Sequence, residues 1–376
     1  MRMLLNRFLW VMTLMMAALY AYVAWRLASG AFGALALAVP FVLIWLVPAI
    51  YWVADREKHT VYDDWLHAAS YLSMGWLTFA VLLCLLRDAV LLVTSLSPAM
   101  EHFHALADGR GREGVLGGSV LALGMGVLWA LRGPSVVRVD IPVAGLHPGL
   151  DGLRLVQISD LHVGPTIGVR YVRRVVQTAR FLHADVYALT GDFVDGPVER
   201  LAPAVAPLGD LAKDAPAYFI TGNHEYYAGA QPWIEHFRGL GLRVLENSSE
   251  VLDHKGAKLR VGGVNDPAGS RMGRGQGPDA RRAAGDGDFR VLLAHNPKLA
   301  PAGAKAGFDL QLSGHTHAGQ FFPWTLAVKL VHSPHVAGLS QEGKMWVYVS
   351  AGTGSWGPPV RFGTRPEITL LRLVAA

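Results

Sequence analysis

Long apolar runs fill the first third of the chain, and from about Arg138 short apolar runs alternate with glycine, proline and charge. Residues 8–27, 31–54 and 65–86 are each long enough to cross a bilayer as a helix, and 115–131 is a fourth, glycine-rich run. A cleaved signal peptide fits the first run poorly, because the run is too long and another follows directly. Pro40 and Pro48 fall inside the second run, where neighbouring helices can satisfy the freed carbonyls. The polar stretch 55–59 separates the second and third runs. Arg87-Asp88 is expected to interrupt the third, leaving 89–96 as an interfacial or tilted end.

The second part of the chain carries two periods. Residues 153–158, 185–189 and 217–220 read as strands, and 169–181 has helical spacing, as does the segment through Leu208 and Leu211. Strands alternating with helices argue for parallel βαβ units. Later runs are more densely β: 243–245, 258–261, 289–293, 309–312, 345–349 and 367–373. The fold class predicted is α/β (α+β), with two packed mixed β-sheets flanked by helices and preceded by an α-helical transmembrane region. The expected division is 1–133 for about four membrane helices, 134–151 for a linker and domain entry, and 152–376 for the soluble domain. The run 321–331 reads as a core strand. The sharper alternative makes Phe322 and Trp324 an apolar lip that receives acyl chains or rests on the membrane. The glycine- and arginine-rich segment 267–288 reads as a flexible surface loop, with a phosphate- or headgroup-binding flap as the alternative.

Composition sharpens the membrane reading. Hydrophobic residues make up 52% of the chain and charged residues only 17%. The net charge of +5 is too mild and too dispersed for nucleic acid, so no nucleic-acid partner is expected. The single cysteine, Cys84, sits in an apolar run and reads as a packing residue, which excludes intrachain disulfides. Four spans put both chain ends on one side. Arg2, Arg7, Arg56, Lys58, Arg132 and Arg138 lie there, against Arg26, Arg87, Arg110 and Arg112 opposite. The excess favours a cytoplasmic soluble domain on an integral, multi-pass membrane protein, with the bacterial inner membrane as the expected location.

Five short segments carry the chemistry: Asp160-Leu161-His162, Gly191-Asp192, Gly222-Asn223-His224-Glu225, an isolated His295, and Gly314-His315-Thr316-His317. Each follows a run that reads as a strand, and in such folds ligands gather beyond the carboxyl ends of strands. Carboxylate, imidazole and amide donors without thiolate suit two divalent cations side by side, of manganese, iron or zinc. Asp192 is the candidate bridge between them. Asp160 and His162, two apart, can turn to one ion; His315 and His317 can each face a different one. Asn223 supplies a neutral oxygen and His295 completes the second set. Such a pair lowers the pKa of a shared water strongly, towards ~7 in the best-known zinc case, and the resulting bridging hydroxide is expected to attack phosphorus in line with the leaving group. His224 is placed to bind substrate and to protonate the leaving oxygen, with Glu225 expected to orient it. Asp195 stands between a supporting role and simple turn chemistry. The isolated histidines at 59, 67, 102, 104, 147, 183, 236 and 254 read as structural or surface groups, and His332 and His335 as structural or substrate-contacting ones.

These motifs resemble those of the calcineurin-like metallophosphoesterases, whose pattern runs D-x-H, G-D, G-N-H-E or G-N-H-D, H, G-H-x-H, and the resemblance covers roughly 150–375. It implies a two-sheet sandwich with helices outside. It also implies one cation held by Asp160, His162, Asp192 and His317 and a second held by Asp192, Asn223, His295 and His315. The tail from Tyr348 through Ile368 is similar to a bacterial membrane-associated branch, and some members of that wider branch cleave lipid-linked phosphodiesters, including UDP-2,3-diacylglucosamine. Phosphoprotein phosphatases of the family carry arginines where this chain has Gly196 and Thr221, which favours a diester over a monoester. The sugar-lipid hydrolases of the best-known soluble type carry arginine where His224 stands. The expectation is a membrane-anchored dinuclear-metal phosphodiesterase, with the lipid bilayer and a phosphodiester, lipid-linked substrate as partners. The alternatives are a phosphomonoesterase, a diesterase of another substrate, or a metal-binding membrane scaffold without turnover. Redox chemistry at the metals would call for a tyrosine near Asp192, where the chain has Asp195.

Overall fold

In the computed structural model, residues 2–53 and 60–376 are described, and the chain divides into two units: Met1–Leu128 with Gly357–Val360, and Trp129–Trp356 with Arg361–Ala376. The polar stretch 55–59 lies outside the described residues. The first unit is helical. Its helices span Arg2–Leu27, Gly30–Val47 (continued by a π-helical turn, Pro48–Val53), Val61–Ser95, Glu101–Gly109 and Gly111–Leu131. Four windows, Trp10–Leu27, Gly30–Ile50, Tyr62–Ser95 and Gly111–Leu131, are long and apolar enough to cross a membrane. Their shared core gathers Val23, Leu27, Phe41, Ile44, Trp76, Ala80 and the buried thiol of Cys84.

Arg87-Asp88 does not break the third helix as expected. A capping box at Thr60 and Asp63 starts that helix, and it runs unbroken to Ser95. Both charges find partners, so the helix has no reason to end. Asp88 accepts from Tyr22 at 2.8 Å and from Arg26 at 3.0 Å, while Arg87 donates to the carbonyl of Ala107 at 3.0 Å.

The second unit is a two-sheet sandwich. Its strands are β1 (Ser135–Val143), β2 (Arg154–Ile158), β3 (Val186–Leu189), β4 (Ala217–Phe219), β5 (Arg243–Val244), β6 (Ser248–His254), β7 (Ala257–Gly263), β8 (Phe289–Leu293), β9 (Leu310–Ser313), β10 (Gly338–Glu342), β11 (Met345–Val349) and β12 (Glu367–Ala375). One sheet runs β1-β12-β2-β3-β4-β5 and the other β10-β11-β9-β8-β7-β6. The pairs β2–β3, β3–β4, β7–β8 and β8–β9 are parallel, as the strand–helix alternation predicts, while β12–β2 and β6–β7 are antiparallel.

The period of two sorts side chains between layers. Leu155, Ile141, Tyr218 and Leu371 from one sheet meet Val261, Val291, Leu310 and Tyr348 from the other. The neighbouring positions Val156, Ile158, Tyr187 and Phe219 point the opposite way, against Val172, Val176, Trp233 and Phe237 of the outer helices. Each fully buried side chain of this size contributes roughly 1.5–3 kcal/mol.

Within 134–151, expected as linker and domain entry, lies β1, which pairs in parallel with the C-terminal β12 along its whole length. The run 321–331 is not a core strand. It forms the helix Trp324–His332, none of whose residues is buried.

Candidate active site

The ends of β2, β3, β4, β8 and β9 lead directly into the five segments. The turns there are tight. Asp160, His162, Asp192, His315 and His317 all have φ between 49° and 72°, the left-handed region. Non-glycine residues in that region cost roughly 1–2 kcal/mol each and concentrate at functional sites. Here the strain lets residues two apart aim their side chains inward. The motif glycines serve close approach: a Cβ at Gly222 would overlap the Asp192 carboxylate, and one at Gly314 would overlap Ser159 and Asp160.

The result is two adjacent donor groups, Asp160 with His162 and His317, and Asp192 with His295 and His315. His315 and His317 face different groups, as their spacing suggests. Asp192 lies between the two, with Oδ2 3.0 Å from His295 Nε2 and 4.0 Å from His162 Nε2. Asn223 Oδ1 is 2.9 Å from His315 Nδ1, and His162 Nε2 is 3.0 Å from His317 Nε2.

These separations bear on whether the residues suit cations. Two donors on one edge of a coordination octahedron with bonds of ~2.1 Å stand about 3.0 Å apart. The pairs at 2.9–3.0 Å match that edge. His295 Nε2 is buried without a hydrogen-bond partner despite its closeness to Asp192, and two imidazole nitrogens face each other across the first group. A cation between the donors satisfies all of these atoms. The outward nitrogens are anchored as metal-binding histidines usually are: His295 Nδ1 donates to the carbonyl of Thr190 at 2.7 Å, and His162 Nδ1 meets Asp195 Oδ1 at 2.9 Å.

Electrostatics agree. Burial and the neighbouring His295 push His315 down to about 3, and burial brings His317 down to about 4, so both present neutral imidazoles. For His295 burial acts downward, but Asp192 outweighs it and the group sits well above its ordinary value. Burial would raise Asp192, yet His295 and His224 hold it well below the usual carboxylate range. Ligation requires neutral imidazole and ionised carboxylate, so a cation held here would have to displace any proton on His295.

A third close group is His162, Asp195 and His224, joined by hydrogen bonds. Asp195 Oδ1 takes both Nδ1 atoms, His162 at 2.9 Å and His224 at 2.7 Å. Burial depresses His224, but Asp192 and Asp195 more than offset it and bring it up to about 9. Asp195, not Glu225, therefore orients His224. Glu225 is fully buried and instead accepts from the backbone N–H groups of Asp192, Phe193 and Gly222, tying two ligand segments together. Burial and the nearby Asp192 raise it to about 7. Sequence offered one signal for Asp195, its position three residues after Asp192.

Arg361 falls in the tail from Tyr348 through Ile368, and its role is not visible in the sequence. It is completely buried and donates to the carbonyls of His317, Ala351 and Gly354, which fixes the loop carrying His317. The segment 267–288 includes two short helices, Pro267–Arg271 and Ala280–Ala283. Arg274 donates to the carbonyls of Tyr226 and Tyr227, immediately after the Asn223 segment. His335 is held by Ser340 and Glu342, away from both donor groups, whereas the His332 ring lies 5.4 Å from that of His315. Of the two apolar-lip residues, Phe322 is 37% exposed and Trp324 52%.

Comparison with known proteins agrees with this architecture. Residues 153–319 match the profile of the calcineurin-like phosphoesterases. The chain is 36% identical over 350 residues to a transmembrane protein with metallophosphoesterase domain from Danio rerio, covering 87% of this chain and 77% of that one. The Bos taurus protein of the same name is 38% identical over 266 residues, covering 67% of this chain and 60% of its own length. An uncharacterized metallophosphoesterase of Helicobacter pylori is 34% identical over 227 residues, covering 59% of this chain and 60% of its own length.

Proposed function

The chain belongs to the calcineurin-like phosphoesterase family, and from that premise we propose that it is a membrane-anchored phosphodiesterase that cleaves a phosphodiester or pyrophosphate bond in a lipid-linked substrate. Metal-dependent phosphoester hydrolysis is the activity of the family. The diester preference and the lipid-linked substrate are the proposal. The observation that carries it is the pair of donor groups meeting at Asp192, with His224 beside them on its Asp195 hinge.

In this reading Asp160, His162, Asp192 and His317 hold one divalent cation, and Asp192, Asn223, His295 and His315 hold the other. Bound there, two such cations acidify a water and neutralise charge on the phosphoryl oxygens. The protein's own residues do the rest. Asp195 fixes His224 by Nδ1, so Nε2 is the nitrogen presented to the leaving oxygen, to which it delivers a proton. Glu225 keeps the Asp192 and Asn223 segments in register. Arg361 is spent on backbone carbonyls, and Gly196 and Thr221 offer no guanidinium for a phosphomonoester dianion, which favours a diester. The exposed apolar face of Trp324–His332, with Trp324, Leu326, Leu330 and Val331, follows the His317 segment and suits acyl chains.

The test is hydrolysis by the manganese-loaded full-length protein in detergent, with UDP-2,3-diacylglucosamine, bis-p-nitrophenyl phosphate and p-nitrophenyl phosphate compared. The expected order is lipid diester, then small diester, then monoester. A monoester cleaved faster than both diesters overturns the reading.

A further inference from the structure

Two aromatic side chains stand beside His224 with no part in the scheme above. The Tyr227 ring lies 5.1 Å from the His224 imidazole, inclined at 60°, and the Trp356 ring lies 6.1 Å away at 76°. Both meet the imidazole edge to face, and both keep more than half of their surface exposed: Tyr227 56%, Trp356 54%. By contrast, Phe193, Phe219, Trp233 and Phe237 of the sandwich are completely buried.

The backbone beneath both rings is held. The Trp356 main chain is fastened by a two-way contact: its backbone N–H donates to Gln320 Oε1 at 2.8 Å, and its backbone carbonyl accepts from Gln320 Nε2 at 2.9 Å. Gln320 itself is buried and lies three residues after His317. Tyr227 sits in the short helix Asn223–Ala228, whose end is clamped by Arg274. An exposed but preorganised aromatic surface binds a flat ring with little ordering cost.

Position then decides which part of the substrate the rings meet. His224 Nδ1 is occupied by Asp195, so its Nε2 serves the leaving oxygen, and whatever carries that oxygen lies against the neighbouring rings. We infer that Tyr227 and Trp356 form a leaving-group subsite that stacks on a planar aromatic ring, so that the group expelled is a nucleoside monophosphate. This rests on the diester reading above. In the step itself, water oxygen bonds to phosphorus, the bridging P–O bond breaks with its electron pair on the leaving phosphate, and His224 supplies the proton to that oxygen. The acyl-bearing phosphate remains on the other side of the bond.

The experiment compares two pyrophosphate diesters with the same scissile bond, the methyl ester of UDP and the methyl ester of ribose 5-diphosphate, with bis-p-nitrophenyl phosphate as the reference. Base–aromatic stacking predicts a preference of about tenfold or more in kcat/KM for the uridine compound in the wild-type protein. Trp356→Ala and, separately, Tyr227→Leu should each cut that preference to below about threefold, while Trp356→Phe retains most of it. Equal kcat/KM for the two esters in the wild type overturns the inference, as does a preference that survives both variants. If the reference diester is cleaved and neither ester is, the subsite is wrong and the diesterase reading stands. If the reference diester is not cleaved either, the underlying reading fails and takes the subsite with it.

Discussion

The two units of this chain treat apolar surface in opposite ways. In the helical unit, large apolar side chains point outward (Trp10, Phe32, Leu35, Leu92 and Leu121 are all more than 60% exposed), while the contacts of Arg26, Tyr22 and Asp88 are part-buried between helices. In the sandwich the rule is the usual one, with apolar residues inside and charged pairs such as Arg372–Asp140 and Arg180–Asp214 at the surface. The first pattern is what a lipid solvent selects, because apolar side chains gain nothing by hiding from lipid while polar ones do. The exceptions in the second unit are therefore informative. Phe181 apart, its exposed apolar groups include Phe322, Trp324, Leu330 and Trp356, on segments adjoining the donor groups, and its buried charges include Asp160 and Asp192 of those groups.

The largest effect that sharpens this contrast is expected inside the sandwich. Asp192→Asn removes the shared carboxylate, and diester turnover should fall by at least about 10³-fold with loss of bound metal, measured by steady-state kinetics and elemental analysis. Robust hydrolysis by that variant contradicts the bridging assignment. Asp195→Asn should lower kcat by about 10²-fold, because His224 loses the partner that aims it, while most of the metal is retained. An unchanged kcat removes His224 from proton transfer or Asp195 from its support.

Polar contacts in the two units should also respond differently. Asp88→Ala leaves Arg26 without its partner in a part-buried setting and should destabilise the helical unit by about 1–2 kcal/mol, read as a lower unfolding midpoint in detergent. Arg372→Ala breaks a pair that is more than half exposed and should leave the midpoint unmoved. Equal shifts would erase the distinction between the units. The smallest effect belongs to the exposed apolar helix: Phe322→Ser with Trp324→Ser should reduce the ratio of lipid-diester to small-diester kcat/KM by about tenfold. Equal losses on both substrates sink the acyl-chain role.

What could be read from the sequence follows from how local each constraint is. Asp160-x-His162 and His315-x-His317 were legible because each pair is set by one turn after one strand, and those turns have the left-handed backbone that aims both side chains inward. The parallel strands β2, β3, β8 and β9 were legible as short apolar runs. β1 was hidden although Val137, Val139 and Ile141 alternate with Arg138 and Asp140, because its partner β12 lies at the far end of the chain. Trp324–His332 reads as a core strand from sequence because its apolar residues suggest burial, and nothing local says that they stay exposed. The unbroken third helix depends on Arg26 and Tyr22, more than 60 residues from Asp88. Arg361 and the Glu225 clamp act through backbone carbonyls and N–H groups, which leave no pattern in a sequence.

The central claim is that two cations share Asp192, and metal titration of the purified, metal-stripped full-length protein tests it most directly. Manganese added stepwise, with bound metal and bis-p-nitrophenyl phosphate hydrolysis read together, should give two equivalents per chain, with activity following the second. Full activity at one equivalent, or two equivalents retained by Asp192→Asn, would contradict the account.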